Sequence, residues 1–134
     1  MRVVVDTNVV VSAILRDRNP EKAILQLVEN PDCEWLASEE ILAEYREVLR
    51  RPRFGLSPEI LARWEERFRA AIALWPVTVP VDFPRDPKDA KFIACVLAAQ
   101  ADFLLTGDRD FEEAKTFPNV KMISVSRFVA EFCR

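Results

Sequence analysis

The sequence predicts an α/β domain built around a mainly parallel β-sheet. Short apolar runs alternate along the chain with segments whose apolar residues recur at helical spacing, the pattern of successive strand–helix units. The first run has three consecutive valines at positions 3–5, and its lack of polar alternation favours a strand buried on both faces. With 134 residues, 50% of them apolar, the chain suits one domain over residues 1–134.

Five such runs predict strands, in chain order at residues 2–6, 33–37, 77–81, 103–106 and 120–123. Helical spacing predicts helices at residues 9–15, 21–29, 38–51, 57–74, 86–100, 111–115 and 126–132. Ser38 is a candidate N-cap followed by two glutamates, and Ser57-Pro58 and Asp86-Pro87 each combine an N-cap residue with a first-turn proline. Local capping chemistry therefore marks the start of three of these helices.

The composition excludes several classes of chemistry. The chain has no histidine, which rules out Ser-His-Asp and Cys-His catalysis and histidine-ligated zinc. Its two glycines, Gly55 and Gly107, cannot form a dinucleotide-binding or glycine-rich phosphate loop. The three cysteines are too far apart for a zinc motif, and we expect them to be buried and reduced. No signal peptide or membrane span is recognisable, so a cytoplasmic protein is expected.

The charge is modest overall but uneven along the chain. A net charge of −3 argues against a general nucleic-acid binder. Residues 46–69, however, hold seven arginines against four glutamates, a local charge of +3 that leaves −6 for the remainder. Two interpretations stay open. The segment forms solvated helix faces with intrahelical ion pairs, or it forms a rim that contacts a phosphate backbone, with Arg46, Arg50 and Arg53 as candidates.

Acidic residues occur where a parallel sheet usually binds ligands, beyond the carboxyl ends of its strands. Five aspartates follow predicted strands in this way: Asp6, Asp86, Asp89, Asp108 and Asp110. Each has an ordinary alternative role as a helix N-cap, a first-turn carboxylate or part of a polar turn. The case for a site therefore rests on their convergence rather than on any one of them.

Helical spacing indicates which other carboxylates face inward. In the predicted helix 38–51, Glu44 borders the apolar stripe, while two other glutamates lie further round toward solvent. In the helix 86–100, Asp89 shares the direction of the apolar residues and Lys91 points away from it. A carboxylate on a buried face needs a partner. Glu44 and Asp89 are therefore candidates for the same acidic site.

A group of carboxylates without histidine indicates a bound cation. Two carboxylates ~4 Å apart repel by roughly 4 kcal/mol at an effective dielectric constant near 20. Such a cluster is stable only if some members are protonated or a cation binds. A ligand set made entirely of oxygen atoms favours Mg²⁺ or Mn²⁺. A carboxylate-held cation with open coordination positions suits phosphodiester hydrolysis.

Four motifs together resemble the PIN-domain family, most closely its VapC-like branch of toxin–antitoxin systems. They are D-T-N at residues 6–8, S-x5-E at 38–44, D-P-K-D-A-K-F at 86–92 and L-T-G-D-R-D-F at 105–111. The resemblance covers essentially the whole chain in order and length. It implies a PIN fold, a Rossmann-like α/β/α sandwich with five strands in the order 3-2-1-4-5. It also implies a ribonuclease that depends on Mg²⁺ or Mn²⁺.

The resemblance also implies roles for particular residues. Those that match the acidic quartet of the family are Asp6, Glu44, Asp89 and Asp108. Asp110 matches a frequent fifth acid, and Asn8 and Thr106 match the polar supports. Ala90 departs from the family, because many relatives have an acid there. Asp89 must then serve as the third acid, with Asp86 as a possible helper.

The expected reaction is metal-assisted hydrolysis of single-stranded or structured RNA, in which Glu44 ligates the metal or orients the attacking water. The resemblance implies a cognate antitoxin that blocks the acidic pocket, and a homodimer. Apolar faces around residues 9–15 and 60–72 are the expected dimer surface.

Other functions stay open at this stage. They are a housekeeping PIN nuclease in RNA processing and a non-catalytic PIN-fold interaction domain. A phosphoacceptor receiver domain is disfavoured, because Asp6 stands alone at its strand end and no lysine follows the last strand. A phosphatase with an aspartate nucleophile needs D-x-D on the first strand, where Asn8 replaces the second acid.

Overall fold

A computed structural model describes residues 1–15, 18–77, 90–107 and 120–133. Its strands, in chain order, are β1 (Arg2–Val5), β2 (Glu34–Ala37), β3 (Ile72–Leu74), β4 (Phe103–Thr106) and β5 (Met122–Ser124). Its helices are α1 (Thr7–Ile14), α2 (Arg18–Glu29), α3 (Glu39–Leu49), α4 (Pro58–Ala71), α5 (Ala90–Ala99) and α6 (Val125–Phe132). A short 3-10 helix, Pro52–Phe54, connects α3 to α4.

The five strands form one parallel sheet in the order β3-β2-β1-β4-β5. This confirms the expected α/β class and the expected strand order. The central strand β1 pairs with β2 on one side and β4 on the other, with Val4 opposite Leu36 and Val5 opposite Leu105. Its three valines are fully buried, as their unbroken apolar run predicts.

An aromatic cluster packs α3 and α4 onto β2. The rings of Trp35 and Phe68 meet edge to face, with centroids 5.8 Å apart. Tyr45 of α3 lies 6.0 Å from Trp35 and 5.8 Å from Phe68. Such tilted and edge-on contacts add to the stabilisation from burial. The position of α3 over the sheet is therefore fixed by buried side chains.

Three helices begin immediately after strands, each capped by a polar side chain. Asp6 accepts a hydrogen bond from the backbone N–H of Asn8, Ser38 from that of Ile41 and Ser124 from that of Arg127. Ser57 caps α4 in the same way. The predicted caps at 38 and 57 are confirmed. These caps satisfy N–H groups that have no partner within the helix.

The third strand differs from the expectation. The prediction placed it at residues 77–81 and continued the preceding helix to 74, but α4 ends at 71 and β3 occupies Ile72–Leu74. β3 pairs in parallel with β2, and the Trp75 N–H extends the ladder with a bond of 2.9 Å to the Ala37 carbonyl. Pro76 also disfavours helix at Trp75. Pairing with β2 therefore makes Ile72–Leu74 extended, although its short apolar run continues the preceding helical pattern. Val77 is not in a strand, and residues 78–81 lie outside the described ranges.

The remaining boundaries differ by a few residues. α1 and α2 begin two and three residues earlier than predicted, and the last strand is Met122–Ser124 rather than 120–123. The predicted helix 111–115 and the first residues of the predicted helix 86–100 lie outside the described ranges. Within those ranges, no helix combines the length and the apolar character needed to cross a bilayer.

Two expectations about burial require correction. Cys95 is buried, but Cys33 and Cys133 are partly exposed, because Cys33 directly precedes β2 and Cys133 directly follows α6, outside the regular elements. All three are free thiols. The apolar face around residues 9–15 is largely used by the protein's own core, and Leu15 is its large exposed side chain. The homodimer remains a prediction.

Candidate functional site

The carboxyl edge of the sheet brings polar residues side by side. The register of Val5 with Leu105 places Asp6, the next residue, beside Thr106. The Asp6 N–H donates to the Leu105 carbonyl at 2.9 Å, which continues the pairing past the end of β1. This is the edge at which ligands bind in open parallel sheets. Asp6 and Thr106 therefore lie at the centre of the place where a site is expected.

Asp6 acts as the N-cap of α1. Its backbone is extended, with φ −63° and ψ 142°, and its Oδ1 accepts from the Asn8 N–H at 3.2 Å. The ordinary capping role considered from the sequence is thus real. It does not exclude a second role, because each carboxylate oxygen has two lone pairs and the side chain is only half-buried. The side chain of Asn8 is exposed at the start of the same helix.

Glu44 is held by two side chains from other helices. Its Oε2 accepts a hydrogen bond from the buried hydroxyl of Thr7 in α1. Its Oε1 forms an ion pair of 2.7 Å with the Nζ of Lys91 in α5. The Glu44 side chain is 24% exposed and that of Lys91 is 19% exposed. The half-buried position of Glu44 agrees with the helical spacing.

The neighbour of Glu44 in α3 ties the helix to β1. The buried hydroxyl of Tyr45 donates to the carbonyl of Val5. Burial raises the pKa of Tyr45 far above its ordinary value, so this hydroxyl keeps its proton. Tyr45 and Glu44 thus contact Val5 and Thr7, the residues on either side of Asp6. The two carboxylates Asp6 and Glu44 are thereby brought to one corner of the sheet edge.

The donors at this edge suit a hard divalent cation. The hydroxyl of Thr106 is 3% exposed as a residue and has no hydrogen-bond partner within the described ranges. Two carboxylates and this hydroxyl form a set made only of oxygen, the ligand chemistry of Mg²⁺ and Mn²⁺. Within those same ranges no three acids or cysteines form a complete metal cluster. The other predicted acids fall outside the described residues: Asp86, Asp89, Asp108 and Asp110.

Lys91 is the residue of this network that the sequence did not reveal. Helical spacing indicates only that it points away from Asp89. The structure places its ammonium on Glu44, a residue 47 positions earlier in the chain. No local pattern encodes such a contact. The sequence shows only a lysine two residues after the D-P-K-D run that starts the predicted helix, and nothing in that position indicates which residue it contacts.

Among the arginines of residues 46–69, Arg46 and Arg51 form ion pairs with glutamates, whereas Arg50 and Arg53 form no ion pair with a described carboxylate. Arg46 forms a two-bond contact with Glu65 of α4, at 2.9 and 2.6 Å, and this contact lowers the pKa of Glu65. Arg51 pairs with Glu47 at i,i+4 spacing, as the solvated-face interpretation predicts. Arg53 stacks over the ring of its neighbour Phe54 at 4.7 Å. Arg50 is exposed at the end of α3.

Comparisons with known proteins identify the family. A family model described as PIN domain matches residues 2–110. The structure is similar to a chain in the crystal structure of VapBC2 from Rickettsia felis bound to a DNA fragment from their promoter. The TM-score is 0.63 and the identity 16%, over 92% of this chain and 98% of that chain. No curated protein matches in sequence. The similarity to the solved chain supports the fold, and the family model covers most of the present sequence.

Proposed function

Because the chain belongs to the PIN-domain family, we propose that it is a ribonuclease that hydrolyses RNA with the help of Mg²⁺ or Mn²⁺. The observation that carries the proposal is that Glu44 contacts Thr7 and Tyr45 contacts Val5, on either side of Asp6 at the carboxyl edge of the sheet, where the Thr106 hydroxyl has no partner among the described residues. Carboxylate and hydroxyl oxygens at one edge of a sheet are the ligands that a hard divalent cation prefers. Phosphodiester hydrolysis is the chemistry that such a cation supports.

The proposed metal-holding residues are Asp6, Glu44, Asp89 and Asp108, with Asp86 and Asp110 as helpers. A bound divalent ion would lower the pKa of a coordinated water and neutralise charge that develops on the phosphate. Asp6 presents its carboxylate from the N-terminus of α1, where the Asn8 N–H orients it. Glu44 presents oxygens already held by Thr7 and Lys91, and these can ligate the ion or accept a proton from water. Asn8 and Thr106 are the proposed polar residues that support these carboxylates at the same edge of the sheet.

The proposed RNA contacts come from the basic segment. Arg50 and Arg53 form no ion pair with any described carboxylate, so their charges are available to phosphates. Arg46 is engaged by Glu65, so its contribution to RNA binding requires that contact to open. Such arginines would offset the repulsion between a net −3 protein and a polyanion.

The proposed biological setting is a toxin–antitoxin pair in the cytoplasm. The resemblance of the sequence to VapC-like toxins and the similarity of the fold to a chain of VapBC2 support a cognate antitoxin protein as partner. We also propose a homodimer, and a monomeric elution profile would contradict it. A housekeeping nuclease in RNA processing would share the chemistry but lack the antitoxin.

Asp6→Asn tests the proposed activity with little disturbance of the fold, because asparagine caps helices about as well as aspartate. Wild-type protein should cleave single-stranded RNA in Mn²⁺, and EDTA should stop it. Asp6→Asn should abolish cleavage while the melting temperature stays close to that of wild type. The matched control is Asp32→Asn, the same change at an exposed turn residue, which should cleave normally.

Undiminished cleavage by pure Asp6→Asn protein would overturn the proposed role of this edge. Calorimetric titration of wild type with Mg²⁺ and Mn²⁺ adds an independent measurement. No binding at millimolar concentrations would favour the non-catalytic interaction domain instead.

A further inference from the structure

We propose that Lys91 is a positioning residue that holds the carboxylate of Glu44 in place from α5, opposite Thr7 from α1. The inference rests on the proposed function and assigns a role to a residue outside the acidic set. Three helices meet at this carboxylate. α3 carries it, the Thr7 hydroxyl binds Oε2, and the Lys91 ammonium binds Oε1 at 2.7 Å. With both oxygens engaged by different helices, the carboxylate cannot rotate freely about its last bond.

The burial of the contact distinguishes it from ordinary surface pairs. Lys91 and Glu44 are 19% and 24% exposed, the lowest values of any ion pair within the described ranges. Arg127 and Glu131, in contrast, are 70% and 44% exposed. Exposed pairs are screened and flexible, so they define no fixed geometry. A half-buried, charge-assisted hydrogen bond is both stronger and more directional.

A purely structural strut between α3 and α5 is the competing explanation. α3, however, is already attached to the sheet by the Tyr45 hydroxyl and by the aromatic contacts with Trp35 and Phe68. A further strut between these helices would be largely redundant. The ion pair instead acts on Glu44, one of the two proposed site carboxylates in the described residues. Partners that orient such ligands commonly determine how well a metal site works.

Lys91→Met tests the proposal, because methionine keeps most of the apolar stem and removes the ammonium. We expect kcat for single-stranded RNA in Mn²⁺ to fall by about 10- to 100-fold, while KM changes little. Lys91→Arg should recover part of the loss, since it restores a cation. The matched control is Lys22→Met on the exposed surface of α2, which should behave as wild type.

Mn²⁺ affinity, measured by calorimetry, separates positioning from structural damage. Loss of the ammonium removes a repulsion on the dication but also frees a carboxylate that is a proposed ligand, so the affinity is interpreted together with the melting temperature, which should stay close to that of wild type. A merely structural role for Lys91 would loosen the site, and Mn²⁺ affinity and melting temperature would then fall together. A melting temperature of Lys91→Met that falls together with Mn²⁺ affinity, and that Lys91→Arg does not restore, therefore contradicts the proposal.

A double-mutant cycle shows whether Lys91 acts through Glu44. Lys91→Met in the Glu44→Gln background should cause little further loss of kcat, because the group that it positions is already gone. The same fold-loss in both backgrounds would overturn the inference, as would full activity of Lys91→Met. If wild type cleaves and Asp6→Asn does not, these results concern Lys91 alone. If wild type does not cleave RNA, the proposed function and the inference both fail.

Discussion

Tyr45→Phe should destabilise the protein by removing one buried hydrogen bond. The change deletes the hydroxyl that donates to the Val5 carbonyl and keeps the ring between Trp35 and Phe68. A buried acceptor that loses its donor costs about 1–2 kcal/mol. For 134 residues the entropy of unfolding is about 0.28 kcal/mol/K. The melting temperature should therefore fall by about 4–7 °C, as measured by circular dichroism without metal at pH 8.

The same substitution predicts a distinctive pH dependence. Burial raises the pKa of Tyr45 above its ordinary value of 10.0. The unfolded chain thus loses this proton near pH 10, while the folded protein keeps it. Wild type therefore loses up to about 1.4 kcal/mol of stability per pH unit above that point. Tyr45→Phe has no such group. The difference in free energy of unfolding between wild type and Tyr45→Phe should therefore shrink as the pH rises and reach zero near pH 11.

Urea unfolding of both proteins at pH 8, 10 and 11 measures this difference directly. Other groups titrate equally in wild type and variant, so they cancel in the comparison. A melting temperature within 1 °C of wild type at pH 8 would refute the assigned hydrogen bond. A difference that stays constant up to pH 11 would refute the burial of an un-ionised tyrosine.

Two further substitutions and one labelling experiment have expected outcomes. Ser38→Ala removes the cap on the Ile41 N–H and should cost about 1 kcal/mol in urea unfolding. Arg46→Met should cost under about 1 kcal/mol because the pair with Glu65 is partly exposed. Since this pair lowers the pKa of Glu65, the cost should be constant above pH 4.5 and shrink as the pH falls below it. Burial raises the pKa of Cys95 to about 11, so at pH 8 Ellman's reagent should label this thiol only after unfolding, unlike the two partly exposed cysteines.

The parts of the fold that could be predicted from the sequence depend on local signals. The buried valine strand, the caps at Ser38 and Ser57 and the strand Phe103–Thr106 are each encoded by a few neighbouring residues. The strand Ile72–Leu74 is not, because its short apolar run continues a helical pattern and only pairing with β2 makes it extended. Strand order came from the family resemblance rather than from spacing.

The candidate site likewise combines features that the local sequence predicts with long-range contacts that it does not predict. Periodicity predicts both the position of Asp6 at the end of a strand and the half-buried position of Glu44. Their partners do not, since Thr7 and Lys91 are 37 and 47 residues from Glu44 in the chain. The engagement of Arg46 by Glu65 likewise needs the packing of α3 against α4. Charge counts therefore indicated a basic segment without indicating which of its arginines remain available.

Helix α3 links the stability of the fold to the geometry of the candidate site. Tyr45 and Glu44 are adjacent in α3. Tyr45 contacts the backbone carbonyl of Val5, and Glu44 contacts the side chain of Thr7, so the two contacts lie on either side of Asp6. A shift of α3 that stretched the Tyr45 contact would therefore also move Glu44 relative to Asp6. If Asp6 and Glu44 hold Mg²⁺ as proposed, the near-octahedral geometry that this ion requires depends on that spacing. The buried aromatic cluster under α3 thus contributes to any metal chemistry at this edge as well as to the core.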